Sequence, residues 1–312
     1  MKKLFAILFL FAIIASSCTK EYHNPTSNGN NNGNNGGGGG NGGGGGGGGG
    51  GSTISAVPSS FTQKVLIEEF TGEWCGYCPD GALKVRDAEN ANPGIVLGAS
   101  FHDNDPFSTT ESMDIETLFK IDTLGWPSGM VNRLPVGPNW VLDRGQWGGV
   151  AAGLTVNTAS CGLAMVSHTT TTDSVYVEVH CGFNTTLSGN YHVTVYLEED
   201  HVPAIAQHNY YDVPGNVSPD VAELNNIGNP IAVWEHNDVV RDILTAELGD
   251  AIPAGKMVPG GEYVATYGTT IAGYTKANLK IVALINKVGT DWLTNEILNV
   301  QHSKLSVTKD WD

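Results

Sequence analysis

Cys75 and Cys78 are separated by two residues within the segment Trp-Cys-Gly-Tyr-Cys-Pro, residues 74–79. Two thiols at this spacing can form a disulfide, exchange it with an external thiol, or supply half of a zinc site. A zinc site needs two more ligands at a matching spacing, but the sequence has no second Cys-x-x-Cys and its 9 histidines are scattered. We therefore expect no metal, and two hypotheses remain: a redox-active pair or an inert structural disulfide.

The sequence on either side of the pair predicts a strand before it and a helix after it. Residues 64–70 are mostly apolar or β-branched and run into a Thr-Gly pair, which is typical of a buried parallel strand ending in a loop. Residues 79–89 carry apolar side chains at helical spacing, and Pro79 suits a first helical turn. A helix N-terminus favours a thiolate and lowers a cysteine pKa from ~8.5 to roughly 3.5–7.5. We expect Cys75 to be the attacking sulfur and Cys78 to resolve the mixed disulfide.

The order of strand, Trp-Cys-Gly-x-Cys and helix resembles the thioredoxin superfamily. The resemblance implies a thioredoxin-like α/β domain over residues 53–156, with Glu69 as a buried acid that accepts a proton from Cys78. A Trp-Pro-Ser-Gly segment before another predicted strand resembles the proline loop of that superfamily. It implies that Pro127 is a cis-proline placed against Cys75. No diffusible cofactor is required, because the disulfide itself is the redox group.

The side chains that flank this predicted active site include Trp74, Gly76, Tyr77, Pro79 and Trp126. Three positions depart from the usual thioredoxin pattern. Tyr77 stands where Pro is usual, Pro79 stands where Lys is frequent, and Glu69 is longer than the usual Asp. The dipeptide between the cysteines tunes the redox potential in this superfamily, so the redox direction stays open.

His102 follows a second predicted buried strand at residues 94–101. The carboxyl ends of parallel strands share one edge of a sheet, so the loop that begins at His102 is expected to border the cysteines. His102 would then contact the thiols or a substrate; the alternative is a solvated polar turn. Asp103 and Asp105 resemble the start of a calcium loop, but the later ligands are absent and we expect no metal site.

The second half of the chain changes to a period-two pattern that is typical of strands with one buried face. Six short predicted strands separated by polar turns favour an all-β, immunoglobulin-like antiparallel sandwich over residues 157–312. These strands are predicted at residues 161–168, 174–183, 191–199, 262–270, 279–288 and 296–307.

Cys161 and Cys181 are equally distant from residue 171, the middle of a predicted hairpin turn. Cross-strand neighbours at a non-hydrogen-bonded position have Cα atoms ~4.5 Å apart, near the lower limit for a disulfide. The sequence thus predicts a structural Cys161–Cys181 disulfide, with free buried thiols as the alternative. Between the predicted strands, residues 209–241 hold many aromatic and polar groups. They indicate either a ligand or partner surface, or a long loop folded over a sheet edge.

The N-terminal residues 1–17 have the pattern of a targeting segment. Two lysines precede an apolar run that is too short for a permanent membrane helix. Small residues directly before Cys18 resemble a lipobox, so we expect cleavage there and a lipid, including palmitate, on Cys18. The alternative is an ordinary secretory peptide cut near Ser17. Residues 18–52 then form a lipid anchor and a tether rich in Gly and Asn, which behaves as a flexible coil.

The net charge of −16 argues against a nucleic-acid partner, because phosphates would be repelled. The order of lipobox, tether, cysteine motif and β-rich region with a His-Asn-x-Val-x-Arg element resembles the 28-kDa outer membrane protein (Omp) lipoprotein family of Gram-negative bacteria. His236, Asn237, Val239 and Arg241 form that element. The resemblance implies a lipid-anchored outer-membrane protein, facing the periplasm or the cell surface.

Two functions follow as hypotheses. The first is thiol–disulfide exchange with envelope proteins at a redox-active centre. The second is a non-enzymatic, surface-exposed binding or adhesion lipoprotein in which the Cys75–Cys78 disulfide is structural and the partner is a surface protein.

Overall fold

The computed structural model describes residues 54–215 and 218–312. The predicted signal peptide at residues 1–17, the predicted lipid on Cys18 and the tether at residues 18–52 lie outside the described residues. The described α-helices are α1 (Cys78–Ala91), α2 (Thr110–Leu118) and α3 (Arg144–Leu154). None of the helices in this part of the chain has the length and apolar character needed to cross a membrane.

Strands make up most of the regular structure in the described chain. They are β1 (Val65–Thr71), β2 (Val96–His102), β3 (Ser128–Val131), β4 (Cys161–Thr169), β5 (Ser174–Phe183), β6 (Tyr191–Glu199), β7 (Val202–Pro203), β8 (Glu235–His236), β9 (Val239–Ile243), β10 (Asp250–Ala251), β11 (Glu262–Thr270), β12 (Leu279–Lys287), β13 (Ile297–Lys304) and β14 (Thr308–Lys309).

One large sheet has the strand order β13-β12-β6-β9-β2-β1-β3, with β10 paired to β6. β1 and β2 are parallel and in register from Val65 opposite Val96 onward, and β3 runs antiparallel to β1. β2 joins β9 through the parallel pair Ser100 and Val239. The sheet therefore takes strands from both sides of the predicted boundary at residues 156 and 157.

Every residue of β1 is buried, as expected for a strand covered on both faces. Val65 and Ile67 pack with α1 and α3 on one face, against Val85 and Trp147. Leu66 and Phe70 point to the other face and join a core that includes α2 and strands from the second half of the chain. The motif-bearing strand is thus held rigidly from both sides.

A second sheet has the order β11-β5-β4-β14. Its apolar side chains, such as Val177 and Val179 of β5, share one core with Val195 of β6 and Ile281 of β12. Two sheet layers therefore pack face to face in this part of the chain. Together with the helices on the large sheet, they make a mixed α/β fold, which confirms the prediction at that level.

The predicted Cys161–Cys181 disulfide is wrong: both residues are buried free cysteines. Thr169 pairs with Val175, so the β4–β5 hairpin is centred on Thr172, one residue later than predicted. Cys181 therefore lies opposite Leu163, two residues from Cys161. Diagonal positions of this kind have Cα atoms roughly 7–8 Å apart, too far for a disulfide. Burial raises the pKa of both thiols, that of Cys161 to about 12, which keeps them protonated at neutral pH.

Candidate functional site

The Cys75–Cys78 disulfide lies where β1 passes into α1. The two Cα atoms are 5.4 Å apart, and α1 begins at Cys78. The turn is held by its own backbone, because the Cys75 N–H donates to the Gly72 carbonyl at 3.0 Å and the Cys78 N–H donates to the Cys75 carbonyl at 3.2 Å. Tyr77 occupies the N-cap without a capping side-chain hydrogen bond. The positive end of the helix dipole therefore faces the sulfurs and favours a thiolate once the bond opens.

Glu69 lies on β1 and is 99 % buried, with 1 % of its surface exposed. Its Oε2 accepts a long hydrogen bond from Ser100 Oγ at 3.4 Å, and its Oε1 has no hydrogen-bond partner among the described residues. Burial raises the pKa of this carboxyl to about 8. Glu69 is therefore a protonated acid at neutral pH and can give or take a proton within the physiological range.

Gly81, in the first turns of α1, shows how closely the predicted site residues converge. A Cβ atom at this position would collide with Glu69 Oε1 and would lie 2.9 Å from Pro127 Cβ. A side chain here would force the acid or the proline away. The absence of one lets Glu69 and Pro127 both contact the helix that begins at Cys78.

Pro127 follows a cis peptide bond and leads into β3. The Trp126 ring before it packs edge-on against the Trp74 ring, with centroids 5.4 Å apart. The proline loop is thus fixed beside the cysteine segment through Trp126 and beside α1 through Gly81. These contacts join Trp126 to Trp74, which precedes Cys75, and join Glu69 and Pro127 to the helix that begins at Cys78.

A cavity of about 530 Å³ adjoins Glu69 and Ser100. Lys280 borders it with its Nζ 2.8 Å from Asp200 Oδ1 and in contact with Asp238. Burial alone would lower the pKa of Lys280, but the surrounding carboxylates raise it, so it stays charged. Burial also raises the pKa of Glu89, on α1 at the cavity wall, to about 8. Glu69 therefore borders α1 and a space large enough to hold water.

His102 is the last residue of β2 and is fully buried. Its Nδ1 is 2.6 Å from Asp105 Oδ2, and its ring stands perpendicular to the His236 ring with centroids 4.7 Å apart. His236 in turn lies 3.7 Å from Glu73 Oε1, just before the cysteines. His102 is thus a buried member of an acid–histidine–histidine–acid row behind the cysteine loop, rather than a solvated turn residue.

Residues 205–211, which we call the cover segment, lie directly on the cysteine loop. The Tyr210 N–H donates to the Gly76 carbonyl at 2.8 Å, and the His208 N–H donates to the Glu73 carbonyl at 2.7 Å. Gln207 Nε2 donates to the Cys75 carbonyl at 3.1 Å. Beneath this arrangement Cys75 is 5 % exposed, and Cys78, in the first turn of α1, is 1 % exposed.

Aromatic rings complete the cover. The Tyr210 ring lies so close to Gly76 that an added Cβ would collide with it. The Tyr77 ring packs edge-on against Tyr210 at 5.2 Å and against Tyr211 at 5.7 Å. The Tyr211 hydroxyl donates to Asp80 Oδ2 at 3.3 Å and accepts from Arg144 at 2.7 Å, which ties the segment to α1 and α3. The sequence indicated a ligand or partner surface, or a loop over a sheet edge, for residues 209–241, but it did not place residues 205–211 on the cysteine loop.

No curated protein matches the chain. HBP35 of Porphyromonas gingivalis has a similar structure, with a TM-score of 0.62, 19 % identity, and coverage of 80 % of this chain and 78 % of that chain. At that identity the likeness shows the fold alone.

Two further structures are more distant. A protein from Agrobacterium tumefaciens has a TM-score of 0.47 at 12 % identity, covering 79 % of this chain and 96 % of that chain. A domain of the outer membrane lipoprotein Omp28 from Porphyromonas gingivalis has a TM-score of 0.29 at 17 % identity, covering 49 % and 92 %. The family model described as outer membrane protein Omp28 matches residues 116–309, which is more than half of the sequence. The chain therefore belongs to the Omp28 family of outer membrane lipoproteins, and its predicted outer-membrane location is confirmed.

Proposed function

We propose that this outer-membrane lipoprotein, held by a lipid on Cys18, exchanges thiols and disulfides with other envelope proteins through Cys75 and Cys78. The observation that carries the proposal is the position of the disulfide at the start of α1, with Glu69 and Pro127 converging on the first turns of that helix. The order β1, α1, β2 and a cis-proline before β3 supports a thioredoxin-like arrangement for this part.

The exchange begins when a partner thiolate attacks Cys75 Sγ. The Cys75–Cys78 bond breaks, a mixed disulfide forms, and Cys78 leaves as a thiolate that takes the proton of Glu69. A second partner thiolate then attacks the partner sulfur of the mixed disulfide and releases the Cys75 thiolate. Two electrons pass from the partner to the cysteine pair, and the partner gains a disulfide. The reverse sequence reduces a partner disulfide, with ionised Glu69 accepting the proton of Cys78.

A second candidate is a non-enzymatic surface module in which the disulfide is structural. The burial of Cys75 and Cys78 beneath the cover segment favours it. In this reading, the packed sheet layers of the second half form an immunoglobulin-like sandwich that binds a partner protein at the cell surface.

The test measures the reduction potential of the Cys75–Cys78 pair and the rate at which the full-length protein exchanges with a labelled peptide disulfide. The exchange function predicts a potential above about −300 mV and loss of exchange in Cys75→Ser. A potential below about −300 mV, or a Cys75→Ser protein that exchanges as fast as wild type, supports the structural alternative.

A further inference from the structure

The disulfide that the proposed exchange needs is shielded by the protein's own backbone. An attacking sulfur must reach Cys75 Sγ, yet Cys75 is almost fully buried and the Tyr210 ring lies directly over Gly76. We propose that the cover segment, residues 205–211, gates the disulfide and is displaced by an extended polypeptide of the redox partner, which takes its place on the cysteine loop. The inference rests on the proposed exchange function and names its partner class.

The bonds between the cover and the loop indicate what kind of partner fits. The carbonyls of Glu73, Cys75 and Gly76 accept the hydrogen bonds that the cover donates. These acceptors belong to the backbone of the loop and do not depend on side-chain identity. Any extended peptide presents N–H donors at a similar repeat, as in strand addition to an exposed edge. The donors to Glu73 and Gly76 are the backbone N–H groups of His208 and Tyr210, two residues apart, so a flexible or unfolded segment that carries a cysteine can satisfy these two carbonyls, whereas a cysteine fixed on a folded surface cannot.

The cover is held mainly by hydrogen bonds, which water or an incoming peptide can replace when it opens. The fully buried side chains in it are Gln207 and Asn209, both amides. Ile205 is 72 % exposed and Tyr210 is 51 % exposed, so opening uncovers little apolar surface. Segments with few buried apolar contacts are the ones that open at low free energy.

Two attachments at the ends of the cover define where it would bend. At its start, the Glu73 carboxylate accepts from the Ile205 N–H at 2.5 Å and from the Ala206 N–H at 3.3 Å. At its end, Tyr211 is held between Asp80 and Arg144. Residues 207–210 lie between these anchors and bond to the carbonyls nearest the sulfurs. They also bond to residues 224–231, since Asn209 Nδ2 donates to the Leu224 carbonyl at 2.7 Å and the Gln207 carbonyl accepts from the Ile231 N–H at 2.8 Å, so these bonds move or break when the cover opens.

The first experiment measures the rate at which dithiothreitol opens the disulfide in full-length protein, read as alkylated thiols by mass spectrometry. Tyr210→Ala removes the ring over Gly76. We expect it to raise the rate of opening roughly three- to tenfold, the fold-change that corresponds to the free energy of one aromatic contact. Tyr176→Ala, which removes a half-exposed tyrosine from β5, is the matched control and should react like wild type. Gly76→Ala pushes the ring away from the other side and should also accelerate opening, which covers the case of an unstable Tyr210→Ala protein.

The second experiment uses an unstructured dithiol peptide and the same peptide with N-methylated backbone amides around its cysteines. Methylation removes the N–H donors, and we expect it to slow the reaction with the protein roughly three- to tenfold. The idea is overturned if Tyr210→Ala and Gly76→Ala both open at the wild-type rate, or if methylation changes nothing. Both experiments measure only the rate at which the Cys75–Cys78 bond is reduced. They therefore test the gate even if the protein transfers no disulfide to envelope proteins.

Discussion

The two cysteine pairs of the described chain are both buried, yet only one is bonded. Cys75 and Cys78 share a turn at a helix start, whereas Cys161 and Cys181 lie on neighbouring strands, offset by two residues. The first pair has a titrating acid and a displaceable polar cover beside it. The second pair is enclosed by the apolar core between the two sheets. Backbone placement thus decides whether sulfurs bond, and their surroundings decide whether the sulfurs can react.

The sharpest test of this contrast is thiol reactivity. After mild reduction, we expect Cys75 to react with iodoacetamide at pH 7 at least about a thousandfold faster than Cys161 or Cys181, because burial raises the pKa of both core thiols. Peptide mapping after timed alkylation measures the three rates. In urea, Cys161 and Cys181 should become reactive. If they react as fast as Cys75 in the native protein, the two pairs do not differ in reactivity and the prediction fails.

The acid beside the first pair gives a pH-dependent effect. The pKa of Glu69 is raised to about 8 in the folded protein, so the folded state holds this proton more tightly and stability falls as pH rises from about 4.5 to about 8. Glu69→Gln removes this penalty. We expect equal stability near pH 4 and a gain of up to about 5 kcal/mol at pH 9, from urea unfolding. Glu247→Gln, at an exposed position, should follow wild type at both pH values.

Close packing at the first pair predicts the next effect. Gly81→Ala places a Cβ against Glu69 and Pro127, and overpacking of this kind costs about 1 to 3 kcal/mol. Gly153→Ala is the matched control, since it is also helical but has open space around it. Gly153→Ala should raise the free energy of unfolding by up to about 1 kcal/mol. Thermal unfolding measures the melting temperature of both variants. Equal shifts in the two variants would show that Gly81 is not crowded by Glu69 and Pro127.

The smallest expected effect concerns the second pair and tests its register. Leu163 lies directly opposite Cys181, so Leu163→Cys should form a disulfide with Cys181 and leave Cys161 free. The net change in stability should be small, because the cross-link contributes about 3 kcal/mol and loss of the buried leucine costs about as much. Peptide mapping under non-reducing conditions identifies the bond. A Cys161–Cys181 bond instead would restore the original prediction.

Local pattern was sufficient for much of the fold. Period-two alternation predicted β5 and β6 at the residues where they occur, and β4 to within one residue. The helix after the cysteines also followed from local spacing. The register of the hairpin did not, because Asp173 adopts a left-handed backbone conformation with φ of 54° that moves the centre of the turn by one residue. A shift of one residue at the centre moves every partner by two.

Long-range pairing is what the sequence could not reveal. The single pair of Ser100 with Val239 joins the strands of the two halves into one sheet, and no local periodicity reports it. The cover segment was missed as part of the site for a similar reason. Its contacts are made by amides and backbone N–H groups, which leave no hydrophobic pattern along the chain. The division into separate domains at residue 156 stays a prediction.

The late position of residues 205–211 in the chain sets an order of events during export. Proteins emerge from their N-terminal side, so Cys75 and Cys78 reach the envelope before the segment that later lies over them. During that interval no later residue obstructs the sulfurs, so an oxidant can join them before residues 205–211 arrive. Once those residues dock, a change of oxidation state requires a partner that displaces them.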